Sequence, residues 1–202
     1  MATDTQNTTD ATDNATETPP TVELETLSPN GEVDGREESA HVENMAVIPV
    51  FDDYGIVYED DPKYDVASGS GSEYSVSPYG EGTCPDSMFN NPENGCKHIQ
   101  RVIAELNRGR VPVPGEPVDE WMETEVFSRI KRAAEHLANL KSAQQAASEA
   151  DDAKYDESDY DDPIETTAAI LAGLRDGYEG YRERVNPDAP ELPAIARSSD
   201  EE

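Results

Sequence analysis

Cys84, Cys96 and His98 are the residues of this 202-residue chain whose types and spacing point to chemistry. They stand in Thr83-Cys84-Pro85-Asp86-Ser87 and Gly95-Cys96-Lys97-His98, and they include both cysteines and one of the three histidines of the chain. Eleven residues separate the cysteines and one separates Cys96 from His98. Two soft thiolates and an imidazole facing one another across a short loop suit tetrahedral Zn2+. The ion would tie the loop and supply folding energy that a small core lacks. A fourth ligand is open between Asp86, Glu81, His41 and water. Three protein ligands plus water is also the layout of a catalytic zinc. No general base, phosphate-binding loop, Gly-x-Ser-x-Gly, His-Glu-x-x-His or dinucleotide fingerprint accompanies it, so the chain is not expected to be an enzyme. A Cys84–Cys96 disulfide is the competing use of the thiols, and an intracellular compartment disfavours it.

The elements that must position these residues can be read from periodicity. Tyr64 and Val66 alternate, as do Tyr74 and Val76, with the turn Ser68-Gly69-Ser70-Gly71-Ser72 between them, which predicts a β-hairpin. Val47-Ile48-Pro49-Val50-Phe51 and Gly55-Ile56-Val57-Tyr58 are short apolar runs before it. After Cys96 the period changes: Ile99, Val102, Ile103 and Leu106 follow i, i+3, i+4, i+7, a helix ended by Gly109. The cluster therefore lies between a hairpin and a helix.

Val111-Pro112-Val113-Pro114-Gly115 reads as a rigid connector and a domain boundary. Beyond it, Trp121, Met122, Val126, Ile130, Ala133, Leu137 and Leu140 form a helical stripe over 118–148. Ile164, Ala168, Leu171, Leu174, Tyr178 and Tyr181 form another over 163–184. Neither stripe can stay in water, so an antiparallel hairpin is expected, with pairing between chains as the alternative. The fold class is thus α+β: a small ββα zinc-finger unit at 46–112 and a helical hairpin at 116–185. A disordered acidic arm at 1–45 and a disordered tail at 186–202 flank them.

Charge limits the function further. The chain has 15 Lys and Arg against 45 Asp and Glu, a net charge of −30, and 35% hydrophobic residues. High net charge with low hydrophobicity favours disorder. Spread over every region, it also fits adaptation to molar salt, where self-repulsion is screened. We expect the second, with disorder in the tails, in a halophilic archaeon or one of its viruses or plasmids. No window reaches the roughly 20 apolar residues of a membrane span, and the N-terminus lacks a signal-peptide pattern, so the expected location is the cytoplasm.

The segment 54–110 resembles the SWIM-type zinc finger, whose pattern is Cys-x-Cys, a variable spacer, then Cys-x-His on a ββα unit. Cys84-Pro85-Asp86 and Cys96-Lys97-His98 carry the resemblance. Gly82 stands where the first cysteine of the family falls, leaving Cys84, Cys96 and His98 as the matching ligands. The resemblance implies a zinc-binding interaction module that binds DNA or a DNA-associated protein. Lys97, Arg101, Arg108 and Arg110 are the densest basic group and the candidates for phosphate or base contacts. Simple balancing of local acid is the other reading of these four. A structural or assembly protein, a homo-oligomer through the C-terminal helices, is the alternative function. His41 and His136 are isolated and read as solvated. The acids Asp151-Asp152 and Asp159-Tyr160-Asp161-Asp162 lack the spacing of a calcium loop.

Overall fold

The computed structural model of the chain describes residues 35–90, 92, 95–150 and 155–194. The predicted hairpin forms as β2 (Tyr64–Ser68) and β3 (Glu73–Val76), and the apolar run before it supplies β1 (Met45–Pro49). The three strands make an antiparallel sheet in the order β1-β2-β3. Val47 lies opposite Val66, and Val66 opposite Tyr74, while Tyr64 lies opposite Val76. Directly opposed residues share a face of a sheet, so these five side chains form one face. Ala46 opposite Ala67 and Ile48 opposite Asp65 belong to the other.

Each face carries a helix. On the Val66 face lies α3 (Lys97–Asn107), the helix read from the 99-102-103-106 stripe, with Ile99, Val102, Ile103 and Leu106 buried. A short α2 (Pro85–Asn90) fills the loop between β3 and α3. On the Ala67 face lies α6 (Asp161–Arg184). It comes close through two glycines one turn apart. A β-carbon added at Gly173 would stand 2.3 Å from Ala67 Cβ, and one at Gly177 2.8 Å from Ile48 Cγ2. Outside α6 runs a continuous helical rod: α4 (Asp119–Trp121), a π-helical segment Met122–Val126, and α5 (Phe127–Glu149).

The rod and α6 pair antiparallel, as the stripes require. At one end the Phe127 and Tyr178 rings lie 5.6 Å apart, and Tyr181 Oη is 3.0 Å from Asp119 Oδ1 and 2.9 Å from Glu123 Oε1. At the other end Gln144 Nε2 donates to Asp161 Oδ1 at 2.7 Å. Met122, Val126, Ile130, Leu171, Leu174, Tyr178 and Tyr181 are buried, while Leu137 and Leu140 are only half-buried. A short 3-10 turn at Glu157–Tyr160 leads into α6, and residues 151–154 of the acidic linker lie outside the described residues.

Three boundaries differ from the sequence expectation. The connector 111–115 does not separate independent cores. Tyr64 Oη donates to the Pro112 carbonyl at 3.0 Å, the Val57 and Gly115 backbones bond at 2.9 Å, and Trp121 Nε1 donates to the Arg110 carbonyl at 2.9 Å. One buried cluster runs from Met45 to Leu192. Within the expected arm, Gly35–Val42 form a helix, α1, packed on α3. That helix has no apolar stripe beyond Ala40, and polar contacts to other elements hold it. Residues 1–34 lie outside the described residues. Within the expected tail, residues 189–192 are likewise packed on the fold. Ala189 and Leu192 are buried, Tyr178 Oη donates to the Pro190 carbonyl at 2.8 Å, and Arg182 Nε donates to the Ala189 carbonyl at 3.1 Å. Residues 195–202 lie outside the described residues.

Candidate metal centre

Cys84 enters the site from the loop after β3, and Cys96 and His98 from the start of α3. All three are buried, and their donor atoms lie within 4.8 Å of one another. Cys96 Sγ is 3.9 Å from His98 Nδ1. Zinc with Zn–S near 2.3 Å and Zn–N near 2.0–2.1 Å sets its donors about 3.5–3.8 Å apart. Closing this cluster on an ion therefore requires shifts of about an ångström or less. Both cysteines are free thiols.

The surroundings leave the three donors able to take a cation. Among the described residues His98 Nε2 is buried with no hydrogen-bond partner, an arrangement that costs energy unless something pairs with that nitrogen. The Tyr74 ring lies 4.6 Å from the imidazole and closes that side. Burial, reinforced by the Lys97 charge, pushes the His98 pKa down to about 4, so the imidazole is neutral and able to ligate at pH 7. Burial, and then a hydrogen bond to Cys84, pushes the Cys96 thiol up to about 11. The backbone amides of Ile99 and His98, at the N-terminus of α3, act the other way and favour its thiolate. The Ser87 amide donates to Cys84 Sγ at 3.3 Å. A divalent ion would complete this set by deprotonating the thiols, as zinc does. The residues present therefore fit zinc, with one coordination position beyond these three.

Gly82, where the resemblance would place a first cysteine, is taken up by packing. It bridges to Val76, and a β-carbon there would stand 2.9 Å from Val76 Cγ1. A side chain at 82 would collide with strand β3. The other expected donors point elsewhere. Glu81 is exposed. His41 is exposed with its Nδ1 3.4 Å from Arg108. Asp86 accepts from Arg36 Nε at 2.8 Å and from Asn90 Nδ2 at 2.7 Å, which holds its carboxyl below the usual range. His136 is exposed on α5, as read from its place on the polar side.

The basic group is largely engaged. Lys97 Nζ pairs with Glu43 at the end of α1. Arg101, Arg108 and Arg110 converge on Glu105 Oε1 at 3.2, 3.9 and 3.7 Å, and Glu105 is only 5% exposed. Arg101 also donates to the Ala40 and Met45 carbonyls at 3.2 and 3.4 Å. This is the acid-balancing arrangement, built inward from α3. Sequence reasoning missed Glu105 as its hub, although its i+4 spacing from Arg101 was visible. It also missed Tyr74, whose place on the Val66 face was the available signal. Arg36 and Glu43 had no local signal.

No protein-family model, curated protein or solved structure matches the chain.

Proposed function

We propose that this chain is a zinc-binding interaction module. It holds one Zn2+ on Cys84, Cys96 and His98 and binds a DNA-associated protein, or DNA itself, in a high-salt cytoplasm. The observation that carries the reading is the buried convergence of two thiols and an imidazole between β3 and α3. Here the ion has a structural role, tying the hairpin β2–β3 and α3 into a ββα unit of the SWIM type.

Two features support protein over DNA as the partner. Lys97 and Arg101 are engaged by Glu43 and Glu105, Arg108 and Arg110 lean toward Glu105 from the surface, and a net charge of −30 repels phosphates. Met88 and Phe89 are 64% and 81% exposed on α2, the loop helix that the metal ligands bracket. Large apolar side chains held out by a tied loop suit a protein contact.

A test is available in purified chain kept in molar salt throughout. Zinc is measured by mass spectrometry, and binding to duplex DNA by fluorescence anisotropy across a salt series. One zinc per chain, lost in Cys96→Ser, with DNA binding that is weak and indifferent to Arg108→Ala and Arg110→Ala, fits a module with a protein partner. DNA binding that weakens in those variants assigns the partner as DNA. A metal-free chain whose melting is unchanged by chelator removes the zinc reading.

A further inference from the structure

We propose that Asp86 is the fourth zinc ligand, and that metal binding draws its carboxylate away from Arg36. The inference rests on the zinc reading above.

Structural zinc sites are closed by four protein ligands. Among the described residues, no His, Cys, Asp or Glu beyond Cys84, Cys96 and His98 belongs to the cluster as it stands. Asp86 stands beside it in the chain, with its carboxylate outside the present cluster. It follows Cys84 by two residues, as His98 follows Cys96, so each cysteine brings a second donor at the same spacing. It sits in the first turn of α2, and that turn is fixed on the site by the Ser87 amide on Cys84 Sγ. Glu81 and His41 do not share that spacing, and both are exposed.

The carboxylate now belongs to α1 and α2. Arg36 Nε donates to Oδ2 at 2.8 Å, Arg36 Nη2 approaches Oδ1 at 3.4 Å, and Asn90 donates to Oδ1 at 2.7 Å. The Arg36 and Asp86 side chains are 38% and 32% exposed. An ion pair so open to water competes weakly with coordination to a divalent ion. One carboxylate oxygen can turn to the metal only by giving up some of the Arg36 pairing. The rest of α1 keeps its own anchors, the Lys97–Glu43 pair and the Arg101 bond to the Ala40 carbonyl. Zinc uptake therefore weakens one tie of the first turn of α1 and leaves the rest of the helix in place. By linkage, whatever draws Arg36 from Asp86 tightens zinc by the same factor.

The experiment uses the full chain in molar salt. Zinc affinity is measured by chelator competition for the wild type, Asp86→Asn, Arg36→Gln and the double variant. Co2+ absorption reports the ligand field, and hydrogen exchange reports amides 35–40. We expect Asp86→Asn to weaken zinc tenfold or more and to alter the Co2+ spectrum. Arg36→Gln should tighten zinc severalfold, and in the double variant that gain should vanish. Zinc should speed exchange at 35–40 in the wild type and not in Asp86→Asn. Asp86→Asn with wild-type affinity and Co2+ spectrum would overturn the proposal and leave water or an outside group as the fourth ligand. A wild type that binds no zinc would instead overturn the reading beneath it.

Discussion

The Tyr74 ring of β3 lies against the His98 imidazole of α3, centroids 4.6 Å apart and planes inclined by 47°. Through this contact the hairpin sets the orientation of a candidate ligand in the helix. Tyr74→Ala should lower stability by about 1–2 kcal/mol, from lost area and the ring contact. It should also weaken metal binding severalfold, because the freed imidazole samples other rotamers. Thermal melting and chelator competition check this. Unchanged metal affinity would mean that α3 alone orients His98.

The metal-free protein should lose stability in mild acid. The folded pKa of His98 is pushed down to about 4 by burial, against an ordinary value near 6.5. The unfolded chain therefore binds more protons between those values, and stability rises with pH across that window. The contribution is fully present above about pH 6.5 and is lost as pH falls toward 4. Its size is on the order of 3 kcal/mol. His98→Gln in the chelated protein should flatten this region of the pH profile of Tm. A slope that survives the substitution would assign the effect to carboxylates instead.

Glu105 should be a stability residue. It is 5% exposed and receives Arg101, Arg108 and Arg110, of which Arg101 is the buried partner at 16% side-chain exposure. Removing one member of a buried pair strands the other charge. Glu105→Gln should cost about 2–3 kcal/mol, less than a fully buried pair because Arg108 and Arg110 remain in water. Denaturant melts in molar salt measure it. A cost below about 0.5 kcal/mol would show that the three arginines do not depend on Glu105.

The C-terminal segment should be required for folding up to Leu192. Leu171 faces the core from α6, and Leu192 folds back against it. Leu171→Asp should abolish the cooperative transition and shift Trp121 emission. Leu192→Ala should cost about 2 kcal/mol. A chain ending at residue 185 that melts like the full length would contradict the buried role of Ala189 and Leu192.

What the sequence made legible was whatever periodicity records. Tyr64, Val66, Tyr74 and Val76 announced a hairpin, and Ile99, Val102, Ile103 and Leu106 announced α3. The Cys-x-His spacing placed two donors on one helix start. The third link of the site, from Cys84 across to α3, followed from the hairpin-to-helix order. Legibility stopped where contacts are ionic or depend on small residues. α1 has no apolar stripe, and it is held by Arg36 on Asp86 and Glu43 on Lys97, which pair over 50 and 54 residues. The sheet-facing side of α6 is marked by Gly173 and Gly177, so a search for apolar stripes found only the side facing the rod. That is why the helical hairpin read as a separate unit, when its α6 in fact covers the Ala67 face of the sheet.

The most direct test of the metal centre is zinc stoichiometry by native mass spectrometry in the wild type, Cys84→Ser, Cys96→Ser and His98→Gln, all purified in high salt. One zinc per wild-type chain and a marked loss in each variant are expected. The wild-type Tm should also fall when chelator removes the ion. Wild-type protein that carries no zinc, takes up none when it is offered, and melts identically with and without chelator would contradict the account.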